Sequence, residues 1–271
     1  MTTTNLALGQ ELLDVAATLA RQAGTMALVG RRGGLIEVQT KTTATDMVTE
    51  FDRASELLVF DGLLRCRPDD TIVGEEGASH SGTSGITWYI DPIDGTTNYL
   101  YSLPNWAVSI GATDDHGAIA GAVYIPAMDE MFTAVRDGGA RLNGSPIRCS
   151  TATDLSQALV CTGFSYSSTQ RSLQAQRVAR MIHLIRDIRR FGAAAIDLCY
   201  VACGRLDAYF EENLASWDIV AGELIAREAG CRTGNFDGRD VTPAQLVASA
   251  PAIFDDLTAL ITASSTRVGQ E

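Results

Sequence analysis

One stretch constrains the chain more than any other: Ile90-Asp91-Pro92-Ile93-Asp94-Gly95-Thr96-Thr97-Asn98. The preceding Ile86-Thr87-Trp88-Tyr89 is apolar and β-prone, so a strand is expected to run straight into an acid. Pro92 fixes φ and donates nothing to a ladder. Asp94 and Gly95 then turn the chain, and Thr96 is placed to cap the next element. A strand that ends this way belongs at a sheet edge of the kind where α/β folds place ligands. The two carboxylates and the intervening carbonyl of Ile93 can face one spot. Carboxylate plus carbonyl oxygen suits a hard cation, Mg2+ or Mn2+, and not zinc. Asp, Pro and Gly are also ordinary turn residues, and on local grounds a plain turn accounts for the stretch equally well.

Three other segments bear on that choice. Gly74-Glu75-Glu76-Gly77 ends a strand-like run in adjacent acids, either solvated in a loop or bound at a site. Trp217-Asp218 opens a helix-like stretch, where an acid is ordinarily a cap. Residues 41–52, KTTATDMVTEFD, carry acids at 46, 50 and 52 beside the single base Lys41.

Around these segments the chain changes texture once. Leu8, Leu12, Val15, Leu19 and Met26 recur at helical spacing and predict a helix over 6–29, broken by Arg31 to Gly34. A short strand over 35–39 and a polar loop follow, then a helix from about Val48 to Cys66, stopping before Pro68. TIVGEE, ITWYIDPIDG, AVSIGAT, AIAGAVYIP and EMFTAVRDG read as strands, and Asn143-Gly144 as a hairpin turn. Beyond residue 150 the pattern alternates. ALVCTGF and LDAYFEE are strand-like, and IRRFG is a short strand or turn. Residues 170–185, AAAIDLCYVACG, SWDIVAGELIAREAG and PAIFDDLTALITA are helix-like. The expected organisation is an α+β subdomain over 1–150, carrying most of the candidate acids, and an α/β subdomain over 151–271, carrying Asp218.

Charge narrows the partners. With 21 basic and 33 acidic residues the formal net charge is −12, which repels nucleic-acid phosphates and anionic membrane surfaces. A small phosphate ester would be repelled too, unless bound cations reversed the sign locally. The six cysteines are scattered without a C-x-x-C pair and read as reduced core thiols; Cys199 and Cys203, four apart, could share a helix face. The N-terminus lacks a basic lead and an unbroken apolar run, and no membrane-length apolar run occurs, so a cytoplasmic protein is expected. There is no G-x-S-x-G, no Cys/His arrangement and no Walker loop, which argues against a protein nucleophile and against a kinase or NTPase. His80, His116 and His183 read as surface residues.

G-E-E, then W-Y-I-D-P-I-D-G-T-T-N-Y about a dozen residues later, then W-D-I-V-A-G-E-L-I-A-R-E-A-G-C near the C-terminus resembles the inositol monophosphatase family. The likeness runs from the first helix to the last. It implies a layered αβαβα sandwich of the inositol monophosphatase and fructose-1,6-bisphosphatase type, generally a homodimer. It implies two to three Mg2+ per site, with Mn2+ able to substitute. One ion would take Glu75, Asp91 and the carbonyl of Ile93. A second would take Asp91, Asp94 and Asp218. A third would lean on Glu75, with Glu76 nearby. Asp52 and Thr96 would hold the attacking water, and the amides of Gly95 and Thr96 would hold the phosphate. Ala194, Glu211 and Asp218 would face the organic part of the substrate. The family also places a lysine at Lys41, which either orders the loop near the site or stands in solvent. Arg186, Arg189 and Arg190 either grip an anion or form a surface or dimer feature, and the surface reading is preferred.

The activity implied is Mg2+-dependent hydrolysis of a small phosphate monoester, inositol 1-phosphate first. Relatives with the same acids cleave fructose 1,6-bisphosphate, 3′-phosphoadenosine 5′-phosphate, NADP or histidinol phosphate. The short interval from GEEG to WYID and an acid at Glu211, able to accept from polyol hydroxyls, favour the inositol type. Lithium inhibition is common in the family. Some bacterial relatives instead bind transcription or ribosome-assembly machinery, which leaves a regulatory, protein-binding role as the rival from another class.

Overall fold

The computed structural model describes residues 3–32, 38–40 and 47–265. In chain order the first half contains helix α1 (Thr3–Arg32), strands β1 (Val38–Thr40) and β2 (Met47–Thr49), helix α2 (Glu50–Cys66), strands β3 (Thr71–Gly74), β4 (Ser79–His80) and β5 (Thr87–Asp94), the short helix α3 (Thr96–Leu100), and strands β6 (Ala107–Asp114), β7 (Gly117–Ile125), β8 (Glu130–Val135), β9 (Gly139–Leu142) and β10 (Ser145–Pro146). The second half continues with β11 (Leu159–Thr162), α4 (Ser168–Met181), β12 (Asp187–Arg189), α5 (Ala194–Ala202), β13 (Ala208–Glu212), α6 (Ser216–Glu228), β14 (Arg232–Gly234), β15 (Gln245–Ser249) and α7 (Phe254–Ser265).

Three large apolar clusters fill the spaces between five layers, and a fourth, of Ala27, Ile93, Tyr99 and Trp106, lies beside the end of β5. Leu12, Leu13, Ala16, Leu19, Ala20 and Ala23 form the buried stripe of α1, and with Val59 and Leu63 of α2 they cover one face of an eight-stranded sheet ordered β10-β9-β8-β7-β6-β5-β3-β4. The other face of that sheet packs against α5 and α6. Those helices in turn cover a five-stranded sheet ordered β12-β11-β13-β15-β14. The outer face of the second sheet is closed by α4 and α7 through Met181, Phe254, Leu257 and Ile261. The arrangement is the expected αβαβα sandwich. Helix α6 lies unusually close to the large sheet because Gly111 and Gly121 have no side chain beneath it. A Cβ at Gly121 would stand 2.9 Å from the Ala221 Cα, and one at Gly111 would stand 3.0 Å from the Ala221 nitrogen.

Sheet direction sets up the site. Strands β3 and β5 are parallel neighbours, so Gly74-Glu75 and Asp91 emerge at the same edge, and the Glu75 N–H donates to the Ile90 carbonyl at 3.1 Å. The β5–β6 ladder loses register between Asp91 and Asp94, where Pro92 has no N–H to give.

The helix expected from Val48 starts at Glu50, because Thr49 caps it and Val48 belongs to β2. The helix expected over 170–185 spans Ser168–Met181, and the strand over 35–39 coincides with described structure only at Val38 and Gln39. Strands β14 and β15 were not anticipated. His116 and His183 are exposed as expected, whereas His80 is half-buried and its Nε2 lies 3.0 Å from the Pro68 carbonyl. None of the six cysteines is in a disulfide.

Candidate active site

At the carboxyl end of β5 the chain buries two acids: Asp91 is 2% exposed and Asp94 is 8% exposed. The Ile93 N–H donates to Asp91 Oδ1 at 3.1 Å, which folds the D-P-I-D segment back on itself. Gly95 sits at φ +91°, in the left-handed region that favours glycine. A Cβ there would meet the Asn105 carbonyl at 3.0 Å. Thr96 is not the cap anticipated from the sequence. Gly95 occupies the capping position, and the Thr96 hydroxyl is shared between Asp52 Oδ1 at 3.0 Å and the Ile93 carbonyl at 3.1 Å. A hydroxyl has one proton, so it donates to one of these oxygens at a time.

Asp52 reaches this point from the first turn of α2. Its other oxygen takes the Thr49 N–H at 2.8 Å and contacts the Thr49 hydroxyl, closing a capping box. Burial pushes its carboxyl up, against the pull of the Thr49 and Thr96 hydrogen bonds. Asp52 is fully enclosed and meets the cavity through Thr96, a route that sequence spacing does not reveal. Glu76 is likewise tied down at its backbone: its N–H and that of Ala78 donate to the buried Glu56 carboxylate at 2.7 and 2.8 Å. Glu56 thus shapes the G-E-E-G turn, and nothing in its sequence context marks it.

The remaining acids arrive on helix starts and on β13. Asp94 Oδ2 accepts the Ala195 N–H at the beginning of α5 at 2.7 Å. Asp218, in the first turn of α6, accepts the Ala215 N–H at 2.6 Å, a cap as anticipated. Glu211 on β13 accepts from the Tyr209 hydroxyl at 2.6 Å, and its carboxylate occupies the space a side chain at Gly163 would need. Helices α2, α5 and α6 therefore aim their positive ends at one acid cluster.

These groups line a cavity of about 550 Å3 that includes Glu75, Asp91, Ile93, Asp94, Gly95, Thr96, Ala194, Glu211 and Asp218. A roomier groove of about 1020 Å3 beside α1, lined by residues such as Met26, Val29 and Phe51, contains no acid and gathers no such set of polar groups. The chemistry belongs to the smaller space. Lys41 lies outside the described residues. The three arginines divide. Arg186 binds the Gln157 carbonyl at 2.8 Å and Arg189 binds Asp187 at 2.7 Å, both on the surface. Arg190 is exposed like the other two but also borders the cavity, where its charge partly offsets the rise of the Glu211 and Asp197 carboxyls.

Electrostatics tests whether cations fit. Burial pushes the Asp91 carboxyl well up, and the charges of Glu75, Asp94 and Asp218 add to the push. Asp94 is raised by burial and by Asp218, with only the Ala195 N–H among the leading opposing influences. Burial raises Glu211 to about 7 despite the Tyr209 hydrogen bond and Arg190. Among the described residues no three acid, histidine or cysteine side chains already close around a single point. The acids instead border a shared space that protons alone would otherwise neutralise. The donor set is all oxygen, carboxylates plus the Ile93 carbonyl, and multivalent hard cations are the charge that suits it.

Comparison with known proteins identifies the family. The family model for the inositol monophosphatase family matches residues 9–267. The chain is 41% identical to the Nus factor SuhB of Pasteurella multocida over 253 residues, 91% of this chain and 94% of that one. It is 42% identical to the inositol-1-monophosphatase of Mycobacterium leprae over 239 residues, 83% of this chain and 81% of that one. The crystal structure of the extragenic suppressor protein suhB from Bartonella henselae superposes with a TM-score of 0.88 at 33% identity, covering 93% of this chain and 98% of the other. The chain belongs to the inositol monophosphatase family.

Proposed function

We propose that the protein is a Mg2+-dependent phosphatase that hydrolyses a small phosphate monoester, inositol 1-phosphate first. The observation that carries this reading is the burial of Asp91 and Asp94 beside Glu75 and Asp218 at one strand end. Glu75, Asp91, Asp94, Asp218 and the Ile93 carbonyl would hold two to three Mg2+, with Mn2+ able to substitute. Bound there, the ions would neutralise the phosphate dianion, hold it in line and acidify water.

The chain's own groups do the rest. Thr96, fixed by Asp52, presents its hydroxyl oxygen to an incoming water, and Asp52 is placed to draw the proton through it. The amides of Gly95 and Thr96 face phosphate oxygens. Ala194 leaves room for a ring, and Glu211, steadied by Tyr209, accepts from its hydroxyls. Glu76 and Lys41 act, on this reading, as accessories at the rim. The enzyme works as a cytoplasmic homodimer and is inhibited by lithium.

Phosphate release from inositol 1-phosphate, fructose 1,6-bisphosphate, 3′-phosphoadenosine 5′-phosphate, NADP and histidinol phosphate, each with and without Mg2+, tests the reading. Magnesium-dependent release fastest on inositol 1-phosphate supports it. A preference for another ester keeps the chemistry and moves the substrate. A second reading has its own support, since one relative at 41% identity is described as a Nus factor. If no ester is cleaved, a regulatory role through a protein partner takes its place, and an Asp94→Asn variant that keeps its full cellular role would favour it.

A further inference from the structure

We propose that Cys149 and Cys231 form a reversible dithiol–disulfide pair, a covalent clamp between the connector that joins the two sheets and the far end of α6. Cys149 lies on the stretch between β10 and β11, and its N–H donates to the Ala229 carbonyl at 3.1 Å. Gly230, at φ +93°, turns the chain after α6, and its Cβ position would lie 3.9 Å from the Cys149 sulfur. Cys231 belongs to an apolar cluster against which Cys149 packs, and each thiol is the leading influence on the other's acidity. Cys231 is buried and Cys149 half-exposed, so one sulfur meets an oxidant while the other waits beneath it.

Their chemistry is divided in the way such a pair requires. Cys231, helped by Arg148, brings the Cys149 thiol down to about 7, and Cys149 in turn pushes the Cys231 thiol up. None of the other four thiols is placed this way. Cys66 is exposed, Cys161 donates to Asp197 at 3.2 Å, Cys203 points at the Tyr200 carbonyl, and Cys199 is enclosed in α5.

With a peroxide as oxidant, the Cys149 thiolate attacks an oxygen and the O–O bond breaks, giving a sulfenic acid and, with one proton, water. The Cys231 sulfur then attacks the sulfenic sulfur and gives up its proton, and the hydroxyl leaves as a second water. Two thiols and one peroxide thus become one disulfide and two waters, with two electrons passing from sulfur to oxygen. In a reducing compartment such a bond is transient and redox-sensing, which accords with thiols in the resting state.

The clamp acts at a distance from the acid-lined cavity. Helix α6 carries Asp218 in its first turn and ends just before Cys231. Because the connector is already hydrogen-bonded to the end of α6 through Cys149 and Ala229, the bond is expected to form without displacing the helix. Oxidation is therefore expected to stabilise the fold and to leave turnover alone.

The test is mild treatment of the full-length protein with hydrogen peroxide, followed by peptide mapping, thermal melting and activity assay. The expected result is a dithiothreitol-reversible crosslink between the peptides holding Cys149 and Cys231, with a melting midpoint about 5 °C higher. In Cys231→Ser, Cys149 is expected to stop at a dimedone-reactive sulfenic acid with no rise in the midpoint. In Cys149→Ser the crosslink is absent. Oxidation confined to Cys66, a Cys149 crosslink to any other thiol, or a disulfide that lowers the midpoint would overturn the proposal.

Discussion

Strands β3 and β5 bury acid at both ends, and the two ends behave in opposite ways. At the entry, Asp70 is 1% exposed and fully employed. It takes the Arg67 Nε–H at 2.8 Å, the Ser84 hydroxyl at 2.6 Å and the Trp88 indole N–H at 2.9 Å. Burial alone would raise its carboxyl, yet these donors hold it below the ordinary range. At the exit, Asp91 and Asp94 face other acids and are driven up. The same low exposure therefore marks a structural acid when donors surround it and a functional one when more acids do. The entry end is complete as folded, whereas the exit end calls for charge from outside.

Asp94→Asn should break the comparison most sharply. It keeps an acceptor for the Ala195 N–H and removes one charge. Magnesium-dependent turnover should fall on the order of 10^3-fold or more, while the metal-free protein melts higher because repulsion is relieved. Steady-state kinetics beside a melting curve checks both signs.

At the other end, Asp70→Ala should reverse the pattern. Stripping the partners from Arg67, Ser84 and Trp88 should cost about 2–3 kcal/mol in urea unfolding and leave kcat and KM at wild-type values. Lost activity in a stably folded Asp70→Ala would show that the two ends are not independent.

The comparison also predicts opposite responses to pH. Glu211 in the folded, metal-free protein is raised to about 7. Its stabilising contribution is complete below the ordinary carboxyl range and lost as pH rises through about 7, because the unfolded chain ionises first. Buried Asp197, raised by burial and holding an Oδ2 with no hydrogen-bond partner among the described residues, adds to the same trend. Asp70, being depressed, contributes above the ordinary range and is lost only as pH falls through its lowered value. Melting midpoints of the metal-free protein should thus decline from pH 5 to pH 8, and Glu211→Gln should flatten that decline. A midpoint that rises steadily over this range would contradict the assignment.

The smallest effect belongs to Gly163→Ala. Its methyl would enter the space of the Glu211 carboxylate and tilt the acid away from the cavity. A rise in KM of roughly tenfold with little change in kcat is expected, since a tilted acceptor weakens ground-state and transition-state binding alike.

What the sequence revealed follows from where its signals are local. An apolar run that ends in acids is visible without a structure and singled out Glu75, Asp91 and Asp94, whereas Asp218 read locally as a helix cap and joined them only through the family resemblance; all four border the cavity. Strand β15 was missed because Leu246, Val247, Ala248 and Ser249 are buried on both faces, which erases the alternation that betrays a strand. The Asp52–Thr96 and Glu56–Glu76 hydrogen bonds join residues 44 and 20 positions apart, and no periodicity encodes such pairs. Arg190 was grouped with Arg186 and Arg189 by adjacency. The chain turns at Gly192, φ +82°, and only the fold separates the one that faces the cavity.

The central claim, that the acids at the exit of β5 form a site for multivalent cations, is tested most directly by calorimetric Mg2+ titration of the wild type, Asp94→Asn and Asp70→Asn. The account predicts saturable binding with proton release in the wild type, the same in Asp70→Asn, and binding lost or severely weakened in Asp94→Asn. No saturable binding to the wild type, or wild-type binding by Asp94→Asn, would contradict it.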